Sequence, residues 1–316
     1  MGNLMTKSSL LLKVGSNLSF RGGIVASLIR PNKLLYRIFK PSAKGVRRYV
    51  HPQSWLGGKI FSPFGVKISR TNYNGIPGAS FIPKSVKDEN TVIVFLHGGG
   101  YCFGSSLTTH RLGVALMAKH TGITCHSIDY RLAPEHPYPA ALDDAMLAYQ
   151  DIVSNNPTSR IILAGDSAGG GLSLALMMKL RDEGGRMPDD AVLFSPWTDL
   201  SCQGESFDLN AKVDPMFTPS MPRDCSHYYA PEGIDMTDPY VSPAYGDFSN
   251  LPRMLVLCGG NEILLSDSED LVDKAKAVEV DVELSLWPTM FHDWWLFGQF
   301  IPETKQCLTK VSQWLE

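Results

Sequence analysis

The chain has 316 residues, 44% of them hydrophobic and 19% charged, enough to bury the core of one large α/β domain with an insertion, or of two small ones. That balance excludes wholesale disorder, and no stretch approaches the roughly 18 uninterrupted apolar residues of a membrane-spanning helix. The formal net charge of −3 is unremarkable, but its distribution is not: 15 of the 29 Lys and Arg, and none of the 32 Asp and Glu, precede Asp88. Two readings of this basic leading segment stand. Either it is attracted to the acidic body within the fold, or it makes weak contact with an anionic membrane surface. Nucleic-acid binding is not expected, because no recognition motif accompanies the basic run.

Residues 1–50 read as short amphipathic helical pieces, with Ile24 to Ile29 and Leu34 to Phe39 as apolar clusters around Pro31. Such pieces need a partner surface. Lys13, with Gly15, Ser16 and Asn17 close behind, breaks the first apolar run, so no signal peptide is read there. Val66–Ile68 and Ser80–Ile82 are short strand candidates. Thr91–Leu96 is a continuous β-branched and apolar run bounded by turns, the pattern of a strand buried on both faces. Similar runs recur at 123–128, 160–164, 191–194, 254–258 and 280–286. Helical patterns lie between most of them, at 107–121, 139–154, 168–183 and 266–278. Strands alternating with helices predict βαβ units and a mostly parallel sheet. Residues 201–240, rich in Pro, Asp, Met and Tyr, interrupt that rhythm and read as a cap inserted over the sheet. The expected organisation is therefore N-terminal helical pieces over 1–50 and an α/β domain over 51–316 carrying that insertion.

The cysteines Cys102, Cys125, Cys202, Cys225, Cys258 and Cys307 are scattered, with no C-x-x-C pair and no zinc spacing. They read as reduced thiols of a cytoplasmic protein that needs no metal.

Gly165-Asp166-Ser167-Ala168-Gly169 is a G-x-S-x-G pentapeptide with a predicted strand before it and a predicted helix after it. A serine at the tip of such a turn is a nucleophile elbow. Its glycines are required where the turn is too tight for side chains. His97-Gly98-Gly99-Gly100 follows the strand 91–96. An attacked ester carbonyl develops a negative oxygen that backbone N–H groups must approach, and glycines permit that approach. Gly99, Gly100 and Ala168 are the candidate donors, with His97, Gly98 and Asp166 as supports. A serine hydroxyl needs a base, and His292, after the last predicted strand, is the best placed in the order Ser, acid, His. The other seven histidines, His110 among them, default to structural roles. The acid should follow the strand 254–258. Asp267 sits in Ser266-Asp267-Ser268-Glu269, which reads as a capping box, so Glu262 on the preceding loop is favoured.

These motifs resemble the hormone-sensitive-lipase-like esterases of the α/β-hydrolase superfamily. The resemblance covers about residues 60–316. It rests on His97–Gly100, on the stretch from Asp129-Tyr130-Arg131 to Ala141, on Gly165–Gly169 and on Ser195-Pro196-Trp197-Thr198-Asp199. It implies an eight-stranded, mostly parallel sheet flanked by helices, a helical cap, hydrolysis of short-chain acyl esters without cofactor and, in many members, a homodimer. The family's acid motif commonly begins with Asp, where this chain has Glu262, and the 30-residue step from Glu262 to His292 matches the usual family spacing. Amide or deacetylase chemistry on the same triad, a silent ligand-binding member of the fold and a membrane-associated lipase are the alternatives. Met216, Phe217, Tyr228 and Tyr229 either shape the acyl pocket or pack the cap.

Overall fold

The run Thr91–Leu96 is buried at every position, as a strand covered on both faces must be. It lies at the centre of the molecule. The computed structural model describes residues 12–13 and 18–316. In chain order these form β1 (Leu12–Lys13), α1 (Phe20–Ile29), α2 (Pro31–Phe39), α3 (Ala43–Phe61), β2 (Val66–Tyr73), β3 (Ile76–Pro83), β4 (Thr91–Leu96), α4 (Arg111–Thr121), β5 (Thr124–Ile128), α5 (Ala140–Asn155), β6 (Arg160–Asp166) and α6 (Ala168–Asp182). There follow β7 (Asp190–Phe194), α7 (Ser206–Leu209), α8 (Ser220–Tyr229), β8 (Arg253–Gly259), α9 (Leu265–Ala277), β9 (Val282–Trp287) and α10 (Pro302–Leu315).

The strands form one sheet in the order β1-β9-β8-β7-β6-β4-β5-β3-β2. Only the β2–β3 and β3–β5 pairs are antiparallel. The eight strands expected from the sequence are β2 to β9, and the two-residue β1 adds a ninth at the edge beside β9. Alternate residues of one strand serve opposite faces. On β6, Ile161 and Leu163 join the core beneath α5, α6 and α9, whereas Ile162 and Ala164 join the core beneath α4 and α10.

Two features differ from the sequence reading. The helix that contains residue 50 runs from Ala43 to Phe61, across Pro52, so a boundary at residue 50 would cut it. Helix α10 was not anticipated. Its signal was a stripe of Cys307, Leu308, Val311 and Leu315 behind Pro302 at the first turn, and that stripe closes the second core.

Leu308 is fully buried in that core. Leu308→Ala is expected to cost about 2–5 kcal/mol through lost burial and the cavity left behind. Denaturant unfolding would measure this, and a loss under about 0.5 kcal/mol, the range of an ordinary surface change, would show that α10 is peripheral.

Candidate active site

Strand β6 ends at Asp166 and α6 begins at Ala168, leaving Ser167 alone at the turn with φ 52 and ψ −123. This conformation is costly for a residue with a side chain and persists only where its surroundings enforce it. They do so here. Ser167 N–H donates to Phe194 O at 2.9 Å, and Ser167 O accepts from Gly171 and Trp197 N–H at 3.1 and 2.9 Å. A Cβ on Gly165 would lie 2.4 Å from Gly169 O, and one on Gly169 would lie 2.1 Å from Leu96 O. The two glycines of the motif are therefore a packing requirement. Backbone crowding around the turn leaves no other residue type for either place.

The loop His97–Gly100 runs past this turn. Gly98 N–H donates to Asp166 Oδ1 at 2.9 Å, while Asp166 Oδ2 lies 2.9 Å from His110 Nε2. Burial disfavours charge on both partners. Yet each charge stabilises the other, so the pKa of His110 is raised and that of Asp166 lowered. His97 is stacked on the Tyr130 ring at 4.3 Å, and its carbonyl accepts from Tyr130 O–H at 2.5 Å. Burial, with the His110 charge adding to it, lowers the His97 pKa to about 3, so its imidazole is neutral. His97, Gly98 and Asp166 thus brace the loop. At Gly99 φ is 115, and an added Cβ would meet Phe103 O at 2.0 Å. Among the described residues no hydrogen bond uses the N–H of Gly99, Gly100 or Ala168.

Glu262 follows β8 and is fully buried. Its Oε1 accepts from Gly259 N–H at 2.6 Å, Cys258 S–H at 2.9 Å and Ser195 O–H at 3.0 Å. Its Oε2 lies 2.6 Å from His292 Nδ1. On the other side of the ring, His292 Nε2 lies 3.0 Å from Asp293 Oδ2 without hydrogen-bond geometry, and it has no hydrogen-bond partner among the described residues. Burial opposes charge on His292, but the Asp293 and Glu262 carboxylates outweigh it and hold the imidazole well above its ordinary range. Burial likewise pushes the Asp293 carboxyl up to about 7.

Asp267 has a separate task. Its Oδ2 accepts from Thr198 and Asp199 N–H at 2.7 and 2.9 Å, fastening the loop after β7. The expected capping box does not form. Helix α9 starts at Leu265 behind Leu264, and Ser266 Oγ instead accepts from Ser206 N–H in the insertion at 2.8 Å. A tertiary partner has displaced the local one.

Ser167, Gly99, Gly100, Asp166, His292 and Asp293 line a single cavity of about 630 Å³. Most of the remaining wall is apolar and includes Phe103, Trp197, Leu264 and Phe297, with Met216 and Phe217 from the insertion. The Phe217 ring lies 4.7 Å from that of His292. Tyr228 and Tyr229 do not line it. Tyr229 stacks on Tyr101 at 3.8 Å and packs the cap. Among the described residues no cluster of three or more His, Cys, Asp or Glu could hold a metal ion.

Residues 93–296 match the family described as alpha/beta hydrolase fold. The chain belongs to this family. An acetyl-hydrolase of Streptomyces hygroscopicus is 35% identical over 234 residues, 73% of this chain and 77% of that protein. An esterase of Acinetobacter venetianus is 34% identical over 249 residues, 78% and 81% of the two chains. Among solved structures, an esterase from the bacterial hormone-sensitive lipase family is 34% identical. It superposes with a TM-score of 0.85 over 95% of this chain and 98% of that one. The resemblance to hormone-sensitive-lipase-like esterases therefore holds, and with it the class of enzyme, a carboxylic-ester hydrolase.

Besides Asp293, sequence reasoning missed three residues around the site of this hydrolase. Ser195, at φ 43, places its hydroxyl on Glu262. His110 anchors Asp166. Asp214 accepts from Met216, Phe217 and Ile263 N–H, tying the insertion to the Glu262 loop. Ser195 alone carried a signal, as the head of a quoted motif. For the other two, no local pattern marked the distant partner.

Burial raises the pKa of Asp267 from 3.8 to about 7. The folded chain therefore holds an extra proton between those values, and this group's contribution to stability declines as pH rises through that window. Asp267→Asn removes the titration and keeps a carbonyl acceptor. The stability of the variant relative to the parent is expected to improve from pH 4 to above pH 7. A difference that stays flat across equilibrium unfolding at several pH values would contradict this.

Proposed function

We propose that this enzyme hydrolyses short- to medium-chain acyl esters, with Ser167 as nucleophile, His292 as general base and Glu262 as the acid that orients it. The observation that carries the reading is the buried 2.6 Å contact between Glu262 Oε2 and His292 Nδ1 on the wall of the cavity that also holds the strained Ser167. A carboxylate at Nδ1 keeps the proton there and leaves Nε2 with a lone pair. His292 Nε2 takes the hydroxyl proton as Ser167 Oγ attacks the ester carbonyl. The carbonyl oxygen gains negative charge, and the N–H groups of Gly99, Gly100 and Ala168, which are otherwise unused, are available to it. Collapse expels the alcohol, which takes the proton from imidazolium. Water then attacks the acyl-enzyme with His292 again as base, and the carboxylic acid leaves.

The cavity volume and apolar wall suit an acyl chain bound beside the nucleophile. Helices α1 to α3 and the insertion 201–240 act as the cap over it in this reading. Six free cysteines support a reducing, cytoplasmic setting.

Hydrolysis of p-nitrophenyl acetate, butyrate, octanoate and palmitate tests the proposal. Activity is expected to peak on the shorter esters. Ser167→Ala should lower kcat on the order of a million-fold. Glu262→Gln, which disturbs the tautomer, should lower it on the order of ten thousand-fold. Turnover that survives Ser167→Ala would sink the mechanism, and turnover of matched anilides in preference to esters would reassign the enzyme to amides.

His292 acts as a base only when neutral, and Asp293 is the first of the groups that raise its pKa. The acid limb of kcat/KM should therefore lie above the ordinary imidazole range and move to lower pH in Asp293→Asn. A limb that stays in place while the plateau falls would assign Asp293 a purely structural role.

A further inference from the structure

In a helix on the surface of a soluble domain, the apolar stripe faces inward. Helix α2 is turned the other way. Lys33 donates to Ala211 O and Asp214 O at 2.9 and 2.7 Å, and Tyr36 O–H donates to Asp224 Oδ2 at 2.8 Å, so the polar side lies against the protein. Leu34, Leu35, Ile38 and Phe39 lie on the other side, 47–71% exposed. Helix α1 packs Val25, Ala26 and Ile29 against the second core and still exposes Phe20, Ile24 and Leu28 at four-residue spacing. Helix α3 exposes Tyr49, Leu56 and Ile60 along one stripe. Three successive helices thus present large apolar side chains to solvent, which a soluble monomer rarely does without a partner.

The charge around these stripes indicates which partner. No Asp or Glu precedes Asp88. Arg21, Arg37, Lys40 and Arg48 are exposed and form no ion pair among the described residues. Of the described cations before Asp88, only Lys44 and Arg47 pair with an acid of the body, both with Glu135. Attraction between the basic segment and the acidic body therefore leaves most of the segment's charge unanswered. A second copy docked through this face would set like charge against like across a two-fold contact. An anionic lipid surface answers both features, taking the apolar side chains into the headgroup boundary and the cations onto its phosphates.

We propose that the outer face of α1, α2 and α3 docks this enzyme onto an anionic lipid surface. Ile29, Asn32, Tyr49 and Gln53, on the same helices, line the cavity that holds Ser167. Docking thus brings the cavity to the membrane, where esters with poor water solubility are found.

Co-sedimentation of the full chain with phosphatidylcholine vesicles, with and without phosphatidylglycerol, tests this at low and high salt. Binding is expected on the anionic vesicles at low salt and is expected to fall at high salt. The variant Arg37→Gln/Lys40→Gln/Arg48→Gln should bind about a hundredfold more weakly. The variant Leu34→Ser/Ile38→Ser/Phe39→Ser should lose binding. Both variants should keep the parent's turnover of a soluble acetate ester, which reports that they are folded. Three results would overturn the proposal. One is no vesicle binding at low salt. Another is binding that ignores both phosphatidylglycerol and the cation variant. The third is a stable dimer in sedimentation velocity that the apolar variant dissociates, which would assign the face to a second copy.

Discussion

The carboxylate of Glu262 is the constraint on which the arrangement of the site depends. It is fully buried, and an ionised carboxylate taken out of water must have its lone pairs answered. Three donors, two at the end of β8 and one just past β7, converge on one oxygen and leave the other to the imidazole. The three donors fix the carboxyl rotamer, and the rotamer sets the ring orientation of His292. The extra methylene of glutamate relative to aspartate is accommodated because Gly259 and Cys258 reach it from the end of β8, and Ser195 reaches it from the end of β7. Neighbouring strands of one parallel sheet thus supply both the acid and the groups that hold it.

The same logic extends outward. Asp166 receives Gly98 N–H on one oxygen and His110 on the other, so the strained elbow and the glycine loop share one buried carboxylate. Asp267 does the corresponding work for the loop after β7, and Asp214 for the insertion. Four buried acids are thereby spent on loops, with backbone N–H groups as partners. Loops that carry chemistry at the ends of strands have no sheet ladder of their own, and charge-assisted bonds to backbone are among the strong substitutes for it. Under the proposed mechanism, such loops would hold donors and base in place before the substrate arrives, which electrostatic stabilisation of an oxyanion requires.

Much of this was legible in the chain because it is coded locally. Buried strands read as continuous apolar runs, and helices read through their 3.6-residue period. The elbow and the glycine loop read through glycines placed where a Cβ would strike backbone. The choice of Glu262 over Asp267 was reached through a capping box that does not form, since Ser266 bonds to Ser206 of the insertion. In the fold Glu262 Oε2 lies 2.6 Å from His292 Nδ1, while Asp267 bonds to the loop after β7. Helix α10 was overlooked although its stripe was present, and α3 runs past residue 50 with Pro52, a residue that usually breaks a helix, inside it.

The sequence by itself determined the order of strands and helices, the strained serine turn, the glycine loop beside it and the sign of charge along the chain. Each of these is set by neighbours in the chain, through sterics and periodicity. The tertiary structure decided which carboxylate meets His292, that Asp293 stands against its other nitrogen, that His110 meets Asp166, and that α2 turns its apolar side to solvent. These are contacts between residues that chain connectivity does not orient towards each other. They depend on how side chains divide the donors, acceptors and buried space that only the assembled fold creates.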